Sequence, residues 1–511
     1  MTGGNYCAVY DFEIMPYALG DVLTWNVQTA IRCEEHARER VDAYICMDER
    51  HPASIYQRDL VTADNCGLYF SELFGAFGTH PKPGGAFLYR RREEMLEKLR
   101  EVAKGNAANS ESLADYERAL ESRKNESALI EHFSKSIKSH ERINAFAAEH
   151  GRIPLLRPSM GCEPDVTGLV TKRFAGKRIV VVHMRLRRLD AGYGGEQTYT
   201  RDSDFLEWFE FLKDADKKHP DVQFVVMGRL QEKPLELLRL PNVMSLRILG
   251  LGLGHELTLM LRSDLFIGAS SGFATMANFS KVPYFITNVN RESCEAYRIA
   301  LGSERLPFAT ERQILVYEPE TREMLMRLLE RGLEGVPPRK GTPGPPSDGT
   351  IDVRSWEWEQ SQWLHPGATT HRFFTDESYK DKETAFLVWP KVKEARAAWR
   401  KGLKDRAWTV LQRLETSFPR MCEKFPEFLR LKGKLAAERN ERETLRSCEA
   451  SLEKLAARKK GLPGLLTRSR RYLHWGFPLA RLLKRAWKRK HRIPRKLSDV
   501  LMRLASGRSG S

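Results

Sequence analysis

DLFIGASSGFATMANFSKVPYFI, residues 264–286, reads as a strand, a Ser-Ser-Gly turn, a helix and a Val-Pro entry into a further strand. A short apolar run closed by glycine and small polar residues is the signature of a strand buried on both faces of a parallel sheet. The same pattern recurs in RIVVVHM (178–184), VQFVVMG (222–228), VPYFITNV (282–289) and QILVYEP (313–319). Helical patterns such as DSDFLEWFEFLKDADKK (202–218) and HELTLMLR (255–262) lie between several of them. Strands alternating with helices predict a doubly wound α/β domain over about 166–335.

Working back toward the amino terminus, a β-rich run from Tyr6 to Ile14 is followed by the turn MPYALG and a helical stretch from Asp21 to about Arg40. Leu23, Val27, Ala30 and Ile31 fall on one face of that stretch, and VDAYICMD (41–48) reads as a second strand. Strand, glycine turn, helix, strand is a βαβ unit, so residues 1–165 form a first Rossmann-like domain. A charged helical insertion at 88–150, broken at GNAANS (105–110), predicts a helical hairpin with a solvated face. RIPLLRP (152–158) closes the domain.

Beyond the second domain, GVPPRKGTPGPPSDGT (335–350) is too rich in proline and glycine for a packed core, and 336–385 reads as a linker and connecting segment. Residues 386–455 are helical. WPKVKEARAAW (389–399) is echoed by FPEFLRLKGKL (425–435), a spacing that resembles a pair of tetratricopeptide-like hairpins as well as it fits ordinary helices.

A chain of 511 residues exceeds one hydrophobic core, which agrees with two large domains. Its charged fraction of 30% and negative mean hydropathy describe a water-soluble protein. No run approaches the roughly 18 apolar residues of a spanning helix. The amino terminus, MTGGNYCAVYDFEI, has neither a basic leader nor an apolar core, and the eight cysteines are scattered without metal spacing. A cytoplasmic protein with reduced thiols is expected.

The net charge of +17 is concentrated at one end: residues 456–511 hold seventeen Lys or Arg and one acid, Asp499. The body is nearly neutral, so nucleic acid is not expected as the substrate. SRRYLHWGFPLARLLKRAWKRKHRIPRK interleaves aromatic and aliphatic residues with that charge. The composition suits peripheral contact with anionic lipid through 457–511, and equally a solvated tail or a nucleic-acid contact.

Four strand ends carry the candidate chemistry. In LGDVL (19–23), Gly20 allows a tight turn and a close backbone approach; Asp21 reads either as a plain helix cap or as a general base at a sheet's carboxyl edge. VVVHMRLRRLD (180–190) ends a buried strand in His183 and then presents Arg185 and Arg187, whose forked donors match phosphate oxygens. Gly228 and Arg229 end another strand on the same edge. Ser270, Ser271 and Gly272 open a helix, with Thr275 one turn in, and would offer amides and hydroxyls to an anion. The DAD at 214–216 lies inside a helical pattern, so metal is not expected.

LGDVL and SSGFATMANFSKVP resemble the corresponding turns of the heptosyltransferases, and the His-x-Arg of HMRLRRLD is similar to a signature of fucosyltransferases that use GDP-fucose. The resemblance implies α/β architecture with two facing Rossmann-like domains, the GT-B arrangement, followed here by a helical carboxyl-terminal region. It implies a glycosyltransferase with a nucleotide-sugar as donor substrate, no cofactor, and a glycan or lipid-linked acceptor. Asp21 maps onto the catalytic base of the heptosyltransferases, and Arg185 onto the phosphate-holding arginine of the fucosyltransferases. The chain departs from the heptosyltransferase pattern in carrying Ser-Ser-Gly where Asp-Thr-Gly and a later histidine are usual. A nucleotide- or sugar-binding protein without catalysis, and a scaffold built on the helical region, are the competing classes.

Overall fold

Two parallel sheets account for the buried apolar runs. The first consists of β1 (Tyr6–Asp11), β2 (Val41–Cys46) and β3 (Pro83–Tyr89) in the order β1-β2-β3. Its helices are α1 (Leu19–Glu35), α2 (Cys66–Phe77), α3 (Arg92–Ala103), α4 (Ala107–Ser122) and α5 (Glu141–His150). The computed structural model describes residues 4–55, 57–58, 60–123, 125, 127–128, 131, 139–185, 201–229, 233, 235–341 and 388–458. Arg187, most of the 336–385 segment and the basic tail beyond Arg458 lie outside the described residues.

The face of α1 marked by Leu23, Val27, Ala30 and Ile31 is wholly buried, as its periodicity requires. The helix starts earlier than predicted, however. Ala18 is its cap, Gly20 is already helical, and Asp21 sits in the first turn, where its charge complements the positive helix end. Asp21 is therefore not the cap.

β3 was hidden from the sequence by Pro83-Gly84-Gly85, which reads as a turn. A bulge accommodates it: Val41 pairs with Pro83 and Ala43 with Ala86, and Asp42 Oδ1 accepts the Gly85 amide at 2.6 Å. The sheet stops at β1 because α4 and α1 satisfy its outer edge. Asn109 Oδ1 accepts the Cys7 amide at 3.0 Å, Ser112 Oγ donates to the Cys7 carbonyl at 2.6 Å, and Trp25 Nε1 donates to the Val9 carbonyl at 3.0 Å. The first domain is thus half of a doubly wound sheet with its free edge covered by side chains.

The charged insertion does form the hairpin α3/α4, but its face is not simply solvated. Arg92, buried at the start of α3, meets Asp11 Oδ2 at 2.5 Å and Glu13 Oε2 at 2.8 Å. Asp48 is 3.7 Å from the same guanidinium, so residues at or just after the ends of β1, β2 and β3 meet in one ion cluster.

After α6 (Glu163–Arg173) the second sheet contains β4 (Arg178–His183), β5 (Val222–Val226), β6 (Val243–Met244), β7 (Leu265–Ala269), β8 (Tyr284–Thr287) and β9 (Gln313–Leu315). The order β6-β5-β4-β7-β8-β9, all parallel, is the complete dinucleotide-fold order 3-2-1-4-5-6. Around it lie α7 (Phe205–Lys218), α8 (Leu235–Leu238), α9 (Leu253–Met260), α10 (Gly272–Asn278), α11 (Arg291–Tyr297) and α12 (Arg322–Leu333). The DAD lies inside α7, as predicted, with Asp214 bound to Arg322 at 2.5 Å.

The helical region continues with α13 (Trp389–Arg400), α14 (Lys404–Ser417) and α15 (Pro419–Lys424). These pack on α7: Arg413 binds Glu207 at 3.0 Å and also Glu210, and the Phe209 and Phe418 rings lie 4.8 Å apart. A second compact unit begins at Leu429, inside α16 (Pro426–Glu438), and includes α17 (Arg442–Arg458). The echoed segments WPKVKEARAAW and FPEFLRLKGKL supply the first helix of α13/α14 and of α16/α17 respectively. Among the described residues no helix is long and apolar enough to cross a membrane.

Candidate functional site

β4 and β7 are neighbours whose following segments leave the sheet at its topological switch point, where open α/β sheets bind ligands. His183, ending β4, pairs with Gly268 of β7, and the Ser-Ser-Gly turn follows immediately. Ser271 caps α10 by accepting the Ala274 amide at 3.4 Å, and its Oγ lies 3.0 Å from His183 Nδ1. The His183 ring packs 4.7 Å from that of Phe273. Burial, then the charges of Lys233 and Arg185, pull the imidazole down to about 3. His183 is therefore a neutral partner of Ser271 at physiological pH, not a further cation.

A cavity of about 280 Å³ opens here. Its walls include Gly20, His183, Arg185, Gly228, Arg229, Ser271 and Gly272, so most of the predicted strand-end residues converge on one space. A second cavity, about 310 Å³, lies within the first domain against β1, α1 and α4. Although larger, it is lined by none of the predicted site residues.

Several predicted residues serve the site indirectly. Ser270 is buried, with its hydroxyl 3.1 Å from Ser293 Oγ of α11, and is absent from the cavity wall. Thr275 donates to the Ser271 carbonyl at 3.3 Å and likewise does not line the cavity. Gly228 adopts a positive φ of 103°, and its polar atoms are used internally. Its amide donates to Glu256 Oε1 at 3.0 Å and its carbonyl accepts Lys233 Nζ. Arg229 lies 5.8 Å from the Tyr69 ring. Arg185, nearly buried, binds Asp202 Oδ1 through Nη1 at 2.9 Å, so an acid already meets part of the charge that was expected to await a phosphate. Asp21 does not line the cavity; its neighbour Gly20 does.

Gly20 acts differently from the expected turn. An added Cβ on Gly272 would come within 2.8 Å of Leu19 Cβ and 2.9 Å of the Gly20 amide nitrogen. A second contact of this kind joins α2 to α9, where a Cβ on Gly75 would stand 2.6 Å from the Gly254 nitrogen. The two sheets, both within the compact unit that runs to Phe428, therefore come together through helices that meet backbone to backbone at two glycine pairs beside the cavity. Gly272→Ala is expected to cost about 1–3 kcal/mol by overpacking against backbone that cannot yield. Gly168→Ala, in α6 with nothing within 4 Å, is the control and should gain up to about 1 kcal/mol from helix propensity. Urea denaturation of both variants checks this; equal stability of Gly272→Ala and wild type would mean the walls do not touch as described.

The sequence offered no reason to choose Tyr17, Gln57, Tyr69, Glu72 or Arg247, which also line the cavity. Tyr69 and Glu72 sit in α2, whose sequence CGLYFSELFGAF reads simply as a core helix.

No family model matches the chain, and no curated protein matches it. Among solved structures it is similar to ADP-heptose lipopolysaccharide heptosyltransferase II of E. coli, at 11% identity over 65% of this chain and 99% of that one, TM-score 0.38. It is also similar to a family 9 glycosyltransferase of Veillonella parvula, at 10% identity, 66% and 99% coverage and TM-score 0.33. A putative UDP-N-acetylglucosamine 2-epimerase of Listeria monocytogenes matches at 11% identity, 75% and 98% coverage and TM-score 0.28. Likeness of this degree assigns no activity to the chain.

Proposed function

We propose that the cleft binds a nucleotide-sugar and transfers its sugar to a hydroxyl of a glycan or lipid-linked acceptor. The observation that carries this reading is the convergence of Arg185, from the end of β4, and Ser271, from the turn after β7, on one cavity that Gly20 of the first domain also lines. A complete dinucleotide-type sheet binds nucleotides at this switch point. Arg185 and Arg229 supply cationic donors for the diphosphate, and Ser271 adds a hydroxyl at a helix start. The buried Asp202 fixes Arg185 in place through its short contact with Nη1. On this reading the second domain holds the donor, and Tyr17, Gln57 and Tyr69 of the first domain border the acceptor.

A melting panel of UDP-, GDP-, ADP- and CMP-sugars tests it. A true donor at about a hundred times its Kd stabilises by roughly 2.7 kcal/mol through mass action. Arg185→Ala should weaken that donor about 10- to 100-fold, the equivalent of roughly 1.4–2.8 kcal/mol for a charge-assisted contact. Absence of a shift with every sugar nucleotide would reject the function; an unchanged Kd in the variant would remove Arg185 from it.

A further inference from the structure

Among the described residues the cavity wall contains a single carboxylate, and it is not the one the sequence selected. Glu72 is that acid among the described lining residues, and it is carried by α2, on the acceptor side of the proposed reaction. Its oxygens accept from Arg247 Nη1 at 3.0 and 3.3 Å. Arg247 is shared with Glu256 of α9, whose Oε2 lies 3.1 Å from both Nε and Nη2. Glu256 also accepts the Gly228 amide at 3.0 Å. Two carboxylates thus flank one guanidinium.

The two acids are not equivalent. The Glu256 side chain is fully buried and held by the fork of Arg247 and a backbone amide, whereas that of Glu72 is 21% exposed at the cavity. A proton released in the cavity can reach Glu72 and cannot reach Glu256. Asp21 lies in the first turn of α1 and outside the wall.

We propose that Glu72 is the general base of the transfer step, an inference that rests on the sugar-transfer reading above. The acceptor hydroxyl gives its proton to a Glu72 oxygen while its own oxygen forms the new bond to the anomeric carbon. The bond from that carbon to the donor phosphate oxygen breaks, and its electron pair leaves on the nucleoside diphosphate beside Arg185. Arg247 and Glu256 are positioning residues that hold the Glu72 carboxylate at the wall.

Water can take the acceptor's place, so release of free nucleotide (nucleoside diphosphate, or CMP from a CMP-sugar) from whichever sugar nucleotide most stabilises the full chain provides the assay. Glu72→Gln keeps the shape and can still accept from Arg247. It should lower kcat about 100-fold, within the range of general-base contributions, with the donor Kd within threefold of wild type. Glu72→Asp should recover part of that rate, and Asp21→Asn should stay at least tenfold faster than Glu72→Gln. The inference is overturned if Glu72→Gln turns over at the wild-type rate, or if Asp21→Asn is the slower of the two. It is also overturned if Glu72→Gln loses donor affinity and melting temperature in proportion to rate, the mark of a purely structural ion pair. A wild-type chain that binds donor but releases no nucleotide overturns it as well and leaves binding intact, whereas no stabilisation by any sugar nucleotide overturns the parent reading itself.

Discussion

Lowering the pH from about 7 to about 5 is expected to remove roughly 6 kcal/mol of stability, because three histidines are buried in the neutral form. His80, His140 and His183 are each pulled down to about 3, chiefly by burial. His80 accepts the Lys82 amide at Nδ1, 2.9 Å away, and its Nε2 lies 3.0 Å from Thr29 Oγ1, so a proton at Nδ1 would break a bond already made. His140 is enclosed by the rings of Phe279, Tyr297 and Phe308 at 5.2, 5.0 and 6.4 Å. The sign follows from which state binds the proton. Below an unfolded pKa of about 6.5 the open chain takes up protons that the folded chain refuses, so stability is complete above that value and falls as the pH drops toward about 3. Each histidine accounts for about 2 kcal/mol by pH 5. Chemical denaturation at several pH values between 7.5 and 5 measures the slope, and His140→Phe should flatten it by about a third. A midpoint that does not move over this range would show that these imidazoles are not held neutral.

The second sheet was legible because its strands are buried on both faces and so appear as unbroken apolar runs, visible one by one from RIVVVHM to QILVYEP. Only β6 escaped, since two residues, Val243–Met244, make no pattern. The first domain was less transparent. Its opening βαβ unit has the expected periodicity, but β3 begins in Pro-Gly-Gly, and nothing local announces that the sheet ends after three strands. That limit is tertiary: Asn109 and Ser112, separated from β1 by a hundred residues, occupy its outer edge.

Among the site residues, those at strand ends could be found, because a parallel sheet delivers all its carboxyl termini to one edge. His183, Arg185, Gly228 and Ser271 share the cavity for that reason. What the local pattern could not convey was how each would be used. Gly20 looks like a turn glycine and is instead the site of a close helix approach. His183 ends a strand ahead of a run of arginines, and only its burial shows it to be neutral. Glu72 and Arg247 find each other across 175 residues of chain, and neither stands in a motif.

Replacing Arg92 with methionine is expected to cost about 3–5 kcal/mol at neutral pH, the penalty for leaving buried charge without its partner. The guanidinium is 6% exposed and binds Asp11 through Nε at 2.5 Å and Nη2 at 3.0 Å. Asp11 itself is 1% exposed and also accepts the Tyr116 hydroxyl at 2.6 Å. Glu13 has a second cation in Arg123, at 3.3 Å, and Asp48 has Arg50, at 2.6 Å. Among the described residues no other ion pair reaches Asp11, so it is the carboxylate that loss of Arg92 strands. The bond from Arg50 holds the Asp48 carboxyl well below the usual carboxylate range, so its share of stability is present above about pH 4 and is lost only as the pH falls further. This separates the carboxylate cluster from the histidines, which act at higher pH. If the stranded charge is the cause, Asp11→Asn added to Arg92→Met should recover part of the loss, and the double-mutant cycle should give a coupling of at least about 1 kcal/mol. Additive losses in that cycle, or a single-variant cost below about 1 kcal/mol, would mean that packing of the arginine stem and not its charge ties the ends of β1, β2 and β3 together.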